Sequence, residues 1–438
     1  MDTKYTASSP WFTLALLAIT VGAGFAFILG ISRTPFGHMI FAPEFFHRAL
    51  VGHVMMVIVV WLLSFTVVVW TRYLPGAPGV DSKSASVIAG AGAALIVIAV
   101  LSGDGVPMIN NYMPALTNAY YFAGLLLFLL GFSAGVFAFL DAALRPPSNR
   151  DALQDILRVS VLVGALFVLA AALSLAKHGA HGDLSVEFFE RLFWAPGHIQ
   201  QILNGTLFIA VWYALRDAAG LPNPDRAFLR NVNWIFIAAA AAFLVLPFFI
   251  DPVTPAARIG AATVYGIALG VPVLLHALHA LRGLRAIRGT VAHTAIVLSM
   301  TIYFLGITIA YSGVGNDLRL PAHYHGTVIS LTLALMGLSY YILGRSNAYT
   351  PSARWARGQL KLFGAGATLV IAGLYVPGLF GAPRKTAGVA FTDEPLVMGF
   401  LVLLGIGTLL AVAGVLLFML SAAWSYLRTR RPRLALSP

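Results

Sequence analysis

The sequence predicts an all-α, polytopic membrane protein with twelve transmembrane helices, and three observations support this. Hydrophobic residues make up 59% of the 438 residues, charged residues make up only 10%, and the mean hydropathy is +0.85. Because soluble domains carry about 25% charged residues, the bilayer must solvate much of this chain. Twelve apolar segments are each long enough, at about 20 residues, to cross the hydrocarbon core as helices.

Connections rich in Pro and Gly separate the segments, such as Pro146-Pro147 and Gly381-Ala382-Pro383. With no soluble domain or internal repeat in view, residues 1–438 are predicted to form a single membrane domain. The first apolar run lacks a small-residue cleavage pattern, so we expect a span and not a cleaved signal. The predicted helices 1 to 12 lie near residues 11–32, 45–74, 84–103, 119–143, 155–177, 188–215, 228–251, 259–283, 289–314, 321–344, 357–380 and 396–425.

The distribution of Lys and Arg predicts the orientation of the bundle. If the N-terminus is cytoplasmic, twenty of the 28 Lys and Arg residues fall on the inner side and eight on the outer side. This excess follows the positive-inside rule, so we expect both termini on the cytoplasmic side of a bacterial-type inner membrane. Since the basic residues are scattered through loops, orientation explains the net charge of +12, and no nucleic-acid partner is expected.

Histidines are the chemically informative residues of this chain. There is no cysteine, which excludes disulfides, thiolate metal sites and cysteine-ligated iron–sulfur clusters. His53 lies in the first third of helix 2, His198 opens helix 6, and His323 and His325 open helix 10. All four are expected at similar depth on the outer side, where polar groups are costly and usually functional. With few carboxylates available, imidazole is the obvious axial ligand for haem iron.

The spacing of His323 and His325 predicts two different environments. At about 100° per residue, side chains two positions apart diverge by about 200° and leave opposite faces of one helix. They could not easily share one metal, but each could hold a different haem. The alternative is a pair of hydrogen-bonded histidines at the membrane interface, and the spacing alone leaves both interpretations open.

Four motifs resemble subunit I of the haem-copper oxidases, most closely its B-type members, and the similarity covers essentially the whole chain. Asn111-Tyr-Met-Pro-Ala-Leu resembles the family's Tyr-Pro-Pro-Leu turn before helix 4, and Leu192-Phe-Trp-Ala-Pro-Gly-His resembles its entry into helix 6. Pro321-Ala-His-Tyr-His resembles the helix 10 ligand motif. Gly378-Leu-Phe-Gly-Ala-Pro-Arg-Lys resembles the segment whose basic pair salt-bridges haem propionates. A single motif is weak, but four in order on the expected helices are specific.

The resemblance implies two haems, of b or a type. His53 and His325 resemble the axial ligands of a six-coordinate, low-spin haem, and His323 resembles the proximal ligand of a second, high-spin haem. Arg384 and Lys385 resemble the partners of the haem propionates, to which charge-assisted hydrogen bonds would be strong. His198 matches the family's helix 6 ligand of the distal copper.

The copper site departs from the family's pattern. Helix 7 supplies two adjacent histidines in the family, whereas here it reads Leu244-Val-Leu-Pro-Phe-Phe-Ile-Asp-Pro. Ile202 stands where many members carry a redox-active tyrosine, helix 7 has no tyrosine, and helix 6 lacks the distal glutamate of nitric oxide reductases. Because one imidazole cannot hold copper tightly where three are usual, we expect copper to be absent.

Two outcomes for His198 follow from the loss of copper. It either binds the distal face of the second haem or lines an open ligand pocket, and we expect the open pocket. Phe248 and Phe249 of helix 7 are expected beside it, in place of the copper ligands. His276 and His279, near the inner end of helix 8, are expected at the membrane interface, with a proton entry as the alternative.

The resemblance therefore favours a haem-binding respiratory oxidoreductase subunit like cytochrome c oxidase subunit I. Electrons from an outer-side cytochrome c or a quinol would pass through the low-spin haem to a second haem that binds dioxygen or nitric oxide. The alternative is a non-catalytic two-haem electron-transfer subunit of a larger complex. Membrane lipid and an additional membrane subunit are the expected partners. His178 and His181 of an outer loop either bind a metal or belong to a solvated turn.

Overall fold

The structure is a computed structural model that describes residues 9–74, 83–111, 113–145, 151–179, 184–225, 227–313, 315–346, 351–389 and 392–429. Within these ranges the chain is almost entirely helical, which confirms the predicted all-α, polytopic membrane fold. The connection at Pro146-Pro147 and the loop residue His181 lie outside the described residues.

The described helices follow one another as α1 to α12, in the order of the predicted helices 1 to 12. α2 and α8 are each continuous through a π-helical segment, and α7 ends in a 3-10 turn. The bounds are α1 Pro10–Ser32, α2 Pro43–Val54 with Met55–Trp61 and Leu62–Tyr73, α3 Lys83–Leu101, α4 Ala119–Leu144, α5 Ala152–His178, α6 Val186–Ala218, α7 Ala227–Val245 with the turn Leu246–Phe248, α8 Pro255–Tyr265 with Gly266–Gly270 and Val271–Ala280, α9 Val291–Tyr311, α10 Arg319–Ser346, α11 Ala353–Leu379 and α12 Pro395–Thr429.

Eleven helices of the described chain are long and apolar enough to cross a membrane, and α6 is the helix of this series that is not among them. With 33 residues α6 is amply long. It carries polar residues such as Gln200, Asn204 and Arg216, but almost every side chain between Phe193 and Arg216 is buried. Polar groups on α6 therefore face other helices, which is where a bilayer tolerates them.

The helices that carry the candidate ligands occupy the interior of the bundle. In α2 and α10, 83% and 78% of the most apolar window is buried, against 33–56% in the other nine candidate spans. Lipid tails are as apolar as leucine, so peripheral helices can leave their side chains exposed. α1 packs against α12, which brings the two ends of the chain together. The histidines of α2, α6 and α10 thus lie on helices that are largely surrounded by protein.

Two connections between helices meet at one end of the bundle. We call it the outer end, after the orientation predicted from the Lys and Arg residues. Between α3 and α4, strand β1 (Pro107–Met108) pairs antiparallel with β2 (Ala115–Leu116). Asp317, just before α10, forms a β-bridge with Pro383 of the α11–α12 connection. This bridge fixes the segment that carries the basic pair next to the start of α10.

Candidate functional site

The four candidate histidines share one hydrogen-bonding arrangement. Nδ1 of each lies close to a backbone carbonyl oxygen: 3.0 Å for His53 and Gly22, 2.6 Å for His198 and Trp194, 2.9 Å for His323 and Gly306, and 2.7 Å for His325 and Pro321. A carbonyl oxygen only accepts, so Nδ1 carries the proton and Nε2 carries the lone pair. Metal-bound histidines are oriented in the same way, by a hydrogen bond from the ring nitrogen that does not bind the metal.

His53 and His325 approach each other across the interior of the bundle. His325 of α10 interacts electrostatically with His53 of α2 and with Arg33, which follows α1. Arg33 also lies over the ring of Phe46, 5.3 Å from its centroid, and burial lowers the pKa of Arg33 to about 10. Arg33 could not be recognised from the sequence as part of the site, because an arginine directly after a span looks like an ordinary interfacial residue.

His323 points to a different helix. Its hydrogen bond to Gly306 ties α10 to α9, whereas His325 bonds within its own helix and faces α2. At this crossing a Cβ added to Gly306 would lie 2.8 Å from the Cα of Gly326, so the two backbones touch. Small residues allow such close helix contacts in membranes, and this contact brings the carbonyl of Gly306 within reach of the imidazole.

Replacing Gly306 with alanine should therefore push α9 away from α10 and weaken the hydrogen bond to His323. Overpacking of this kind costs about 1–3 kcal/mol, and we expect both a lower thermal midpoint and a changed spectrum of any haem bound to His323. Gly260→Ala is the matched control, because nothing lies within 4 Å of a Cβ added there. Equal behaviour of the two variants would contradict the proposed role of this contact.

A π-helical segment begins two residues after His53. Residues Met55–Trp61 leave the normal i to i−4 bonding pattern, and the side chain of Gln200 on α6 donates to the carbonyl of Ile58 at 2.7 Å. π-bulges occur frequently at functional sites, because an inserted residue re-aims the neighbouring side chains. Through the hydrogen bond from Gln200, the part of α2 that follows His53 is held against the buried face of α6.

The basic pair is held by the loop between the two short strands. Lys385 Nζ donates to the carbonyls of Ile109 and Asn110, at 3.1 Å each, and to Asn111 Oδ1 at 3.2 Å. Arg384 also donates to Asn111 Oδ1. Lys385 has a φ of 65°, a left-handed conformation that is costly for a residue with a Cβ. The loop contacts hold this strained residue in place.

The surroundings of Arg384 and Lys385 favour the binding of an additional anion. Burial, reinforced by the neighbouring Arg384, lowers the pKa of Lys385 to about 8, and burial likewise lowers the pKa of Arg384. Glu190 of α6 opposes both shifts and accepts a hydrogen bond from Asn111. A carboxylate placed beside these cations would stabilise their charged forms. Sequence reasoning missed Glu190, whose link to the pair runs through Asn111.

The surroundings of His198 differ from the prediction. Phe248 and Phe249 were expected beside it, but their side chains are 57% and 80% exposed. The prediction was wrong because α7 ends at Val245 and a 3-10 turn containing Pro247 redirects the residues that follow. Proline cannot continue the helical hydrogen-bonding pattern.

Three aromatic rings surround the His198 imidazole. The ring centroids of Trp194, Phe243 and Tyr265 lie 4.3, 4.6 and 5.1 Å from that of His198. Tyr265 also donates to the carbonyl of His198, at 3.3 Å. Tyr265 belongs to α8, whereas the family's tyrosine was expected on helix 6 or helix 7. Tyr265 directly precedes a π-helical segment of α8, and only the structure reveals that segment.

The expectation for His276 was also wrong. It is fully buried, not interfacial, with Nδ1 2.8 Å from the hydroxyl of Tyr213 and Nε2 2.9 Å from Asn233 Oδ1. The π segment Gly266–Gly270 adds residues to the turns of α8 and rotates His276 toward α6 and α7. In contrast, His279 bonds only the backbone of its own helix, at Leu275.

Haem fits the donor set at the outer end. Three imidazoles present Nε2 lone pairs, as iron requires, and two cations suit carboxylates. Tyr324, between the two histidines of α10, interacts electrostatically with Arg384 and is 44% exposed, so this stretch of α10 borders open space. Within the described residues no three His, Cys, Asp or Glu side chains gather as a metal-ion cluster.

Comparison with known proteins finds two uncharacterised relatives and a solved structure with a similar fold. The sequence matches no family profile. It is 30% identical to an uncharacterised protein of Aquifex aeolicus over 334 residues, 76% of this chain and 83% of the relative. It is 24% identical to an uncharacterised protein of Rickettsia prowazekii, with 94% of each chain covered.

A solved haem-copper terminal oxidase, a dimer studied by cryo-electron microscopy, has a similar fold. The TM-score is 0.66, with 14% identity, over 98% of this chain and 83% of the oxidase chain. This likeness concerns the fold, and it spans the helices that carry all four histidines. The chain therefore belongs to the same family as the Aquifex aeolicus protein, and it has the fold of the haem-copper terminal oxidases.

Proposed function

We propose that this protein is a haem-binding, oxidase-like subunit of a respiratory membrane complex, most similar to B-type subunits I. His53 and His325 hold a low-spin haem, His323 holds a second haem, and Arg384 and Lys385 pair with propionates. The observation that carries the proposal is the shared arrangement of the histidines, each with Nδ1 bonded to a carbonyl and Nε2 available as a ligand atom.

When bound, the two haems would supply one-electron transfer and, at an open axial position, binding of a small gas such as dioxygen or nitric oxide. The residues of the chain then have distinct tasks. The carbonyls of Gly22, Gly306 and Pro321 fix the ring orientations and the tautomers. The aromatic rings around His198 exclude water from the distal side. Arg384 and Lys385 balance negative charge at the outer edge.

The expected electron donor is an outer-side cytochrome c or a quinol, and an additional membrane subunit is the expected partner. The basic pair lies at the outer end of the bundle, so a donor approaching from that side meets the propionate edge of the haems first. We place the protein in a bacterial-type inner membrane with both termini cytoplasmic, because of the predicted excess of Lys and Arg on the inner side.

A non-catalytic electron relay is the second candidate function. The rings of Trp194, Phe243 and Tyr265 pack around His198. No residue of helix 7 offers a metal ligand there. Both observations favour the electron relay. Reduction of dioxygen to water needs four electrons, and the copper and tyrosine that contribute electrons in the family have no counterpart at the matching positions.

Gas consumption by the purified, reduced protein separates the two candidates. An oxidase-like enzyme should consume dioxygen or nitric oxide with reduced cytochrome c or a quinol as donor, and cyanide should inhibit it. His279→Ala serves as a control that leaves the rate unchanged, since the ring of His279 bonds to the Leu275 carbonyl of its own helix, near the inner end of α8. Rapid reoxidation of the haems by another redox protein, with no gas consumed, would replace the enzyme by the relay.

A further inference from the structure

The side chain of Gln201 on α6 faces an open space inside the bundle. Every other side chain between Phe193 and Arg216 is buried, whereas Gln201 is partly exposed. α6 contacts α2, α5, α7, α8, α9 and α10, so other helices enclose it. The exposure of Gln201 is therefore toward the interior of the bundle and not toward lipid. An amide at membrane depth is costly unless it has a polar partner.

Asn204 forms an amide pair with Gln201. The side chain of Asn204 is only 7% exposed, and its Nδ2 donates to Gln201 Oε1 at 3.5 Å. Asn204 Oδ1 is buried without a hydrogen-bond partner in the described part of the chain. Since Gln201 Oε1 accepts from Asn204, Gln201 Nε2 remains as a donor without a partner among the described residues. Buried polar groups are otherwise almost always hydrogen-bonded, so the pair is suited to bind a polar molecule.

The amide pair lies at the level of His323, the proposed ligand of the second haem. Asn204 precedes Phe208 by one turn on the same face of α6, and Phe208 packs against Tyr303 of α9, with 5.1 Å between the ring centroids. α9 runs antiparallel to α6, and Gly306 follows Tyr303 by about one turn. Asn204 and Gly306 are therefore at the same level, and the Gly306 carbonyl lies 2.9 Å from His323 Nδ1.

We infer that Gln201 donates a hydrogen bond to the gas ligand of the second haem, and that Asn204 is the positioning residue that orients Gln201. This inference rests on the proposed function. A diatomic gas held by a haem carries partial negative charge, so donors in the distal pocket decide how strongly the gas is held. The amide of Gln201 would supply such a donor on the side of α6, where no copper ligand from helix 7 is present.

Two other groups on α6 compete with Gln201 for this role. His198 is not a donor toward the pocket, because its Nδ1 proton is directed to the Trp194 carbonyl and its Nε2 carries a lone pair. The indole Nε1 of Trp194 is a donor, buried without a partner in the described chain. At 1.5 Å per residue, however, Trp194 lies about 15 Å from the level of Asn204 along the helix axis, whereas Gln201 lies within about one turn of it.

Infrared spectroscopy of the reduced, purified protein with carbon monoxide tests the inference. A hydrogen bond to the bound gas lowers the C–O stretching frequency, so Gln201→Leu should raise this frequency. Asn204→Leu should raise it less, because the donor remains but loses its orienting contact. Gln201→Leu should also release nitric oxide about fivefold faster, which is the effect expected from the loss of one neutral hydrogen bond.

Gln200→Leu is the matched control, because this neighbouring amide is buried against α2, where it bonds to Ile58. It should leave the C–O stretching frequency unchanged, and an equal shift in Gln200→Leu and Gln201→Leu would overturn the inference in favour of general repacking. A shift in Trp194→Phe but not in Gln201→Leu would assign the hydrogen bond to the indole. The same frequency in wild type and Gln201→Leu would overturn this inference alone. A protein that carries no haem would contradict the proposed function as well.

Discussion

Replacing His53 or His325 with alanine is expected to abolish the low-spin haem signal while the second haem remains. His325 of α10 and His53 of α2 interact electrostatically. In the proposed site each would supply one axial ligand, so the loss of either would leave that iron without a strong-field pair. His323 bonds to Gly306 on the opposite side of α10 and should be unaffected. Reduced-minus-oxidised spectra and electron paramagnetic resonance of the purified variants measure both haems separately.

His279→Ala is the control for these variants, because its ring bonds to the Leu275 carbonyl of its own helix, near the inner end of α8. Loss of the high-spin signal alone in His53→Ala or His325→Ala would show that the two sites are assigned the wrong way round. Loss of both haems in every histidine variant, the control included, would point to general misfolding and would contradict separate ligand roles.

Carbon monoxide should bind the reduced protein and shift the spectrum of the second haem. The ring of His198 is fixed by its bond to the Trp194 carbonyl and by the rings of Phe243 and Tyr265. Moving it onto the iron would break this packing, and a buried imidazole without its hydrogen bond is costly. We therefore expect the distal position to stay open, and His198→Ala to change the rate of carbon monoxide binding more than its extent.

The opposite pattern would be equally clear. No spectral change in the wild-type protein, with binding restored in His198→Ala, would mean that His198 occupies the sixth position. The protein would then be an electron relay with two six-coordinate haems. A Phe243→Leu variant provides a check, since it loosens the aromatic packing without removing the imidazole, and should speed carbon monoxide binding if the pocket is open.

Hydropathy was sufficient to predict the helical architecture, because the length of an apolar segment is a local property of the sequence. The divergence of His323 and His325 was predictable for a similar reason, since side chains two positions apart on one helix differ by about 200°. The structure adds the neighbour of each ring: α9 for His323 and α2 for His325.

The hydrogen-bond partners of the site were not predictable, because they are distant in sequence. Lys385 bonds to Ile109, 276 residues away, and His53 bonds to Gly22 on a neighbouring helix. A glycine in a membrane helix gives little signal by itself, yet a Cβ at Gly22 would come within 2.4 Å of Val57. Close approach of the two backbones is what brings the carbonyl to the imidazole.

The two wrong expectations share a physical origin in irregular helix geometry. Phe248 and Phe249 were placed by extending α7 past Pro247, where the helix has already ended. His276 was expected at the interface because it lies near the inner end of helix 8, but it bonds to Tyr213 and Asn233, and a π segment precedes it in that helix. Neither the 3-10 turn nor the π segment has a hydropathy signature, so periodicity alone could not reveal them.

Metal and haem analysis of the purified protein tests the central claim most directly. We assign the four histidines at the outer end to the proposed haem sites, and helix 7 offers no imidazole for copper. We therefore predict two haem irons per chain, by elemental analysis and by the pyridine haemochrome spectrum, with no stoichiometric copper. About one copper per two irons would contradict the loss of the copper site, and a protein purified without haem would contradict the assignment of the histidines.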